Sequence, residues 1–199
     1  MDTSGRILHK IKALTVESFG FGWSVAIWKE WIIVGAPWSN SAYFYHISGH
    51  FLKDLTVPDL QWNDQFGVGV AISNTHIAVT RSGLDRVDGG KLYLFEKKAL
   101  DNPTEISFDD NSNVESVSLS ERIVVTGATG ASGDDNDRGS AYIHDMSGAV
   151  IAKLIAFDGK DSDEFGSDVC TNGDMVVGAH YHDNSEGAIY VFDAEGDFL

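Results

Sequence analysis

Short apolar runs alternate with polar positions along the whole chain, and the runs come in sets. The first set is Val25-Ala26-Ile27, a polar turn at Lys29-Glu30, Ile32-Ile33-Val34-Gly35-Ala36, and then Ala42-Tyr43-Phe44-Tyr45. Comparable runs return around Val70-Ala71-Ile72, Val117-Ser118-Leu119 and Val169-Cys170. The period is two, β-branched and aromatic residues dominate, and no stretch of eleven or more residues carries the 3.6 period of a helix. The predicted class is all-β, without helices.

The sets are copies of one unit. Phe21-Gly22, Phe66-Gly67 and Phe165-Gly166 open three of them, and a worn copy at Asn113-Val114 opens the fourth. With Val25, Val70, Val117 and Val169 as equivalents, the spacings are 45, 47 and 52 residues. A period in this range marks a repeat architecture, in which each unit buries its apolar face only against a neighbour. Every unit supplies an inner strand at the Phe-Gly, a second strand, which ends at Gly35-Ala36, Gly127-Ala128 and Gly178-Ala179, and a third centred on Tyr43, Tyr93, Tyr142 or Tyr190. An outer strand follows a glycine turn. Asn40, Gly90, Gly139 and Gly187 stand three residues before the tyrosines, and these residue types tolerate a positive φ.

Small residues at one inner-strand position (Ala26, Ala71, Ser118 and Cys170) alternate with large neighbours, so twisted sheets can stack face to face around an axis. A solenoid fits this alternation less well. The pattern predicts a single four-bladed β-propeller over residues 1–199, with repeats at approximately 14–56, 57–106, 107–156 and 157–199. The N-terminal strand, residues 6–13, is expected to pair beside the Tyr190 strand and complete the last blade, giving sixteen strands and no open edge. The four equivalent valines should be buried, Cys170 should be a small buried residue, and Gly35, Gly127 and Gly178 should show positive φ or a close backbone contact. The same turn at both ends, Asp2 to Gly5 and Asp193 to Gly196, points to a segment of a longer array, and half of an eight-bladed dimer is another arrangement the count admits.

Phe-Gly-x-Ser-Val-Ala-Ile followed by Ile-Val-Gly-Ala-Pro, with a later Gly-x-x-Tyr-Val-Phe, resembles the FG-GAP repeat of integrin α-subunit propellers and of short-loop repeats in bacterial and algal surface proteins. The resemblance covers nearly the whole chain. It implies a β-propeller, best known with seven blades, that binds a protein or glycan in an extracellular or cell-surface, adhesion-type setting. There are departures: Asn113-Val114 replaces Phe-Gly in the third copy, and Thr80-Arg81-Ser82 replaces Gly-Ala-Pro in the second. The family's Asp-x-Asp-x-Asp-Gly calcium loop is missing, so its ligands are not carried over.

Thirty acidic against 14 basic residues give a formal charge of −16, which repels nucleic acid and anionic lipid. No apolar run is long enough for membrane insertion, and no signal peptide is visible. One cysteine excludes an internal disulfide, and Asn102-Pro103-Thr104 is blocked for glycosylation, so the compartment rests on the resemblance alone.

In a meander the outer-to-inner loops and the second-to-third loops share one rim, and the long loops are of these two kinds. Two of them are acidic: Asp134, Asp135 and Asp137 in one, and Asp158, Asp161 and Asp163 in the other. Closely spaced carboxylates suit Ca²⁺, and weak binding is expected; no cofactor is required. The plainer reading is a solvated loop whose acids cap turns. Asp64 and Asp163, each two residues before a Phe-Gly, are expected to do so. Trp38, Trp62 and Tyr181 fall on or beside the rim, where aromatic rings stack on sugars or anchor protein partners; packing at blade junctions is the equal alternative for the two tryptophans. His180 and His182 flank Tyr181, and a zinc site there lacks a third ligand. No nucleophile, phosphate-loop or metalloprotease motif is present. The expected function is a non-enzymatic binding module. The alternatives are a self-assembling unit, hence a homo-oligomer, and a hydrolase using rim carboxylates.

Overall fold

The computed structural model describes residues 9–14, 18–82, 89–108, 112–130 and 138–199. Its strands form four antiparallel sheets, each a meander in chain order. The first blade holds β1 (Val25–Trp28), β2 (Trp31–Ala36), β3 (Ser41–His46) and β4 (Phe51–Leu55). The second holds β5 (Val70–Ile72), β6 (His76–Arg81), β7 (Lys91–Glu96) and β8 (Thr104–Ser107). The third holds β9 (Asn113–Leu119), β10 (Ile123–Thr129), β11 (Ser140–Asp145) and β12 (Val150–Leu154). The fourth has three strands, β13 (Phe165–Thr171), β14 (Met175–Ala179) and β15 (Ala188–Phe192). The register agrees across blades: Val25 faces Val34, Val70 faces Val79, Val117 faces Thr126 and Val169 faces Val177. Two short turns depart from the strand-only expectation, a 3-10 turn at Pro37–Ser39 and one α-turn at His182–Ser185.

Neighbouring blades pack through opposite faces of their sheets. Ile33, Phe44 and Leu55 of the first meet Val70, Ile77, Val79 and Phe95 of the second. Ala71, Ala78 and Leu92 on the reverse side of the second meet Val114, Val124 and Tyr142 of the third. Val125, Ile143 and Leu154 meet Phe165, Val169, Met175 and Val177 of the fourth. Each large aliphatic or aromatic side chain buried there is worth about 1.5–3 kcal/mol, so these seams carry most of the stability.

The Phe-Gly pair works as a unit. Phe66 packs its ring 5.4 Å from Tyr93 and 6.4 Å from Phe95, and Phe165 sits likewise on Tyr190 and Phe192 at 5.2 and 6.2 Å. Phe21 does the same against Tyr43 and Tyr45. The glycines beside them adopt φ of +91° to +95°, a region that disfavours any side chain. The third blade lacks a Phe-Gly, and Phe108 takes the ring's place, 5.0 Å from Tyr142 and 5.6 Å from His144. At the tyrosine entry, Asn40, Gly139 and Gly187 have the expected positive φ, whereas in the second copy it moves from Gly90 to Gly89.

His144 occupies the position of Tyr45, Phe95 and Phe192, is fully buried, and has Nε2 3.3 Å from the Thr126 hydroxyl. Burial pushes its pKa down from 6.5 to about 4. The unfolded chain therefore binds a proton between these values that the folded chain refuses. Stability is intact near pH 7, falls as the pH drops through 6.5, and is lower by about 2 kcal/mol at pH 5 and roughly 3 kcal/mol below pH 4. His144→Phe, the residue used in two other blades, is expected to lose about 2 kcal/mol less than the parent between pH 7 and pH 5 in denaturant titrations. Equal losses in both proteins would exclude His144 as the acid-sensitive group.

The expected closure is not what the structure shows. Residues 9–13 form no strand, and Ile11 packs on Val34, Tyr43 and Tyr45 of the first blade instead of the last; residues 6–8 lie outside the described ones. Among the described residues, the edge of the fourth blade is met by the chain's own end, through a bridge between Phe192 and Phe198. Val25, on the uncovered face of the first blade, is 66% exposed, and Val117 in the third blade is half-buried, while Val70 and Val169 are buried as expected. Cys170, expected inside, is exposed. Gly35 and Gly127 make the expected close contacts with the next blade, but Gly178 has only ordinary spacing, its nearest neighbour being the Asp168 carbonyl oxygen at 3.6 Å.

Candidate functional site

The rim grouping holds in three dimensions. The Asn40 side chain donates to the Gln61 carbonyl oxygen and accepts from the Phe66 N–H, so the loop between β2 and β3 is tied to the loop between β4 and β5. The Tyr181 N–H donates to the Asp163 carbonyl oxygen, tying the corresponding loops of the fourth blade. Two distinct clusters stand on this rim.

The first is aromatic and exposed. Pro37 fixes the 3-10 turn that lifts Trp38 out of the first blade, and the αL residue Asn40 ends it. Trp38 is 58% exposed, and its ring centroid lies 5.3 Å from that of Trp23 with the planes tilted by 56°. Phe19 is exposed alongside, with its carbonyl oxygen accepting from the Ser39 hydroxyl, and Gly20 lets the chain pass close to the Trp38 ring. Trp62 is 83% exposed, in the loop that Asn40 ties to the turn. Four large rings held by side-chain hydrogen bonds and a proline turn, yet left in solvent, give a surface suited to stacking. Trp38 and Trp62 were legible in the sequence. Phe19 and Trp23 were not singled out, although Phe19 stands where the second and fourth copies carry Asp64 and Asp163 and so breaks the capping pattern.

The second cluster is polar, with Asp163, His182 and Tyr190 buried and Asp158, Lys160 and Asp183 exposed around them. Asp163 accepts from the Lys160 N–H at 2.8 Å and from His182 Nδ1 at 2.8 Å. The Tyr190 hydroxyl donates to Asp158 at 2.7 Å and lies 3.4 Å from His182 Nδ1. His182 Nε2 faces Asp183 at 3.4 Å, and the Lys160 ammonium donates to Asp183 at 2.6 Å. Burial works against the Asp163 charge, but the Lys160 N–H and the His182 ring outweigh it and hold the carboxyl below its usual range. Burial pushes the Tyr190 phenol up, and the Asp158 carboxylate adds to this. In a hydrolase, an Asp-oriented imidazole turns its free nitrogen to a nucleophile; here that nitrogen faces carboxylates.

Asp64 repeats the capping half of this motif. It accepts from the Gln61 N–H at 2.7 Å, and Arg81 Nη1 takes the place of the imidazole at 3.2 Å. Both aspartates therefore cap the turns, as their position before the Phe-Gly suggested.

The other candidates separate. Asp134, Asp135 and Asp137 lie outside the described residues. Asp158 is held by Tyr190, Asp163 by Lys160 and His182, and Asp161 lies 3.9 Å from the Arg138 guanidinium. Among the described residues, no group of three or more histidine, cysteine or acidic side chains is arranged to hold a metal ion. His180 is exposed with its ring 3.9 Å from Tyr181, which is half-exposed, whereas His182 is buried, so the two histidines do not act together.

Residues 149–192 match the FG-GAP repeat family, a span that runs from β12 to the end of β15. Among solved structures, the chain is similar to the hydrazine synthase of Kuenenia stuttgartiensis at 16% identity and a TM-score of 0.62, covering 85% of this chain and 50% of that one. It is also similar to streptogramin B lyase at 11% identity and a TM-score of 0.69, covering 94% of this chain and 55% of that one. At these identities the likeness is one of fold, that of a β-propeller, and the chain spans about half the length of either structure. Comparison with curated protein sequences finds no match.

Proposed function

We propose that this chain is a non-enzymatic binding module that presents the rim of its first and second blades to a glycan or protein ligand. The observation that carries the reading is the exposed cluster of Trp38, Trp62, Phe19 and Trp23 on tied loops. A partner that covers such rings gains their apolar burial, and pre-ordered loops spare the complex much of the ordering entropy. Aromatic anchors dominate both protein hot spots and sugar-stacking sites. The polar cluster of the fourth blade has the opposite character: its acids and imidazole are engaged with one another, which suits a staple between loops.

Screening on glycan and protein arrays, with matched variants, tests the reading. Trp38→Ala combined with Trp62→Ala is expected to lower affinity at least tenfold for any ligand found. Because both rings are exposed, the melting temperature should move by no more than the equivalent of about 0.5 kcal/mol. Ligands retained equally by parent and variant would refute the rim assignment.

A further inference from the structure

The two end faces of this four-blade arc are the two halves of a seam that the chain builds three times internally. On the first blade, Val25 and Ile27 are 66% and 61% exposed, whereas their equivalents Val70 and Ile72 are buried against the preceding blade. Gly22 is likewise exposed with open space around it, while Gly67 and Gly166 are buried against the preceding blade's backbone. On the fourth blade, Cys170 is exposed and Ile189 is 71% exposed, and a concavity of about 620 Å³ lies over Cys170, Gly178, Ala188 and Ile189. Gly178 is the counterpart of Gly35 and Gly127, which receive the carbonyl oxygens of Gly67 and Gly166 from the following blade.

We infer that the open face of the fourth blade receives the first blade of a second copy of this chain, so that two copies close one ring through two equivalent seams. Continuity of the repeat supplies the shape match: Ala26 shares a packed cluster with Ile72, and Ala71 with Leu119, so Cys170 meets Ile27 of the other copy. The N-terminal segment adds to it, since Ile11 already packs on the first blade as Leu55 packs on the second and Leu154 on the fourth. Charge matches as well. Lys10 and Lys12 flank the Ile11 that packs on the first blade of a chain of net charge −16, and Asp168 and Glu186 border the fourth-blade face. Asp168 stands where Ser24 and Ser116 donate to Gly67 and Gly166 across the internal seams, so this junction lacks that hydroxyl bond and rests on apolar burial and charge. The association is therefore reversible and weakened by salt.

Sedimentation equilibrium over a concentration series is expected to show a species of twice 21.6 kDa that dissociates on dilution and, at fixed concentration, on raising salt. Val25→Asp and Ile189→Asp each place a charge on an exposed position, leave the circular dichroism spectrum unchanged, and are expected to shift the protein to monomer. Ile27→Cys, oxidised with the native Cys170, is expected to give a covalent dimer that Cys170→Ser abolishes. A mass of 21.6 kDa at every concentration, or a disulfide formed within one chain, would overturn the inference.

Discussion

Gly127→Ala is expected to cost more than about 3 kcal/mol, at the upper end of what overpacking does, while Gly178→Ala stays within about 0.5 kcal/mol of the parent. The two glycines hold the same place in the repeat, at the end of the second strand in the Gly-Ala pair. A Cβ at Gly127 would run into the carbonyl oxygen of Gly166 and the Ser116 hydroxyl, both backed by rigid strands. The Gly166 carbonyl cannot yield without parting the third blade from the fourth, and that seam buries Ile143, Phe165, Met175 and Val177. At Gly178 the nearest neighbour of such a Cβ is 3.6 Å away, an ordinary contact. Backbone conformation does not separate them, since neither has positive φ. Chemical denaturation of both variants gives the comparison, and equal losses would show that the motif serves the strand itself and not the seam. A second copy on the fourth blade would add a protein-concentration dependence to the Gly178→Ala result, so low concentration is the clean condition.

Removing the Asp64 carboxylate should be comparably damaging. Asp64 and Arg81 are both almost fully buried, with Nη1 3.2 Å from the carboxylate and Nη2 donating to the Gly89 carbonyl oxygen at 3.0 Å. Asp64→Ala removes a carboxylate paired with the guanidinium in a low-dielectric site and also frees the Gln61 N–H, for a loss of about 3–5 kcal/mol. Pairing it with Arg81→Leu is expected to restore much of this, because a buried ion pair is often no better than apolar residues of similar volume. A double variant as unstable as Asp64→Ala would mean that the capping bond to Gln61, and not the broken ion pair, sets the cost.

Much of this was legible because a repeat states its rules several times. Strands, register and shared rim followed from the spacing of the Phe-Gly, Gly-Ala and tyrosine positions, and turn capping from the acid two residues before two of the Phe-Gly pairs. Substitutions across positions distant in sequence were not legible. Phe108 fills the ring site of a blade whose Phe-Gly has worn away, yet it lies five residues ahead of the Asn113-Val114 that occupies the motif. Arg81 looked like a departure from Gly-Ala-Pro and proves to be the partner of Asp64. Residues 9–13 depart from the expected closing strand: strand counting treats the N-terminal segment as free to move, whereas Ile11 packs, partly buried, on the first blade. The exposure of Trp23, Val25 and Cys170 follows from that geometry and not from any local pattern. The spacing of the acidic loops was equally compatible with caps and cation ligands, and only the partners of Asp158 and Asp163 give these two their roles.

Hydrogen–deuterium exchange of the ligand-bound protein is the most direct measurement of whether the aromatic rim is the working surface. Protection is expected in residues 19–23, 37–40 and 59–64, the loops that carry and tie Phe19, Trp23, Trp38 and Trp62, with little change at the opposite ends of the strands around Lys29, Asn74 and Glu121. Protection confined to those opposite turns, or to residues 158–164 and 180–187 of the fourth blade, would contradict it.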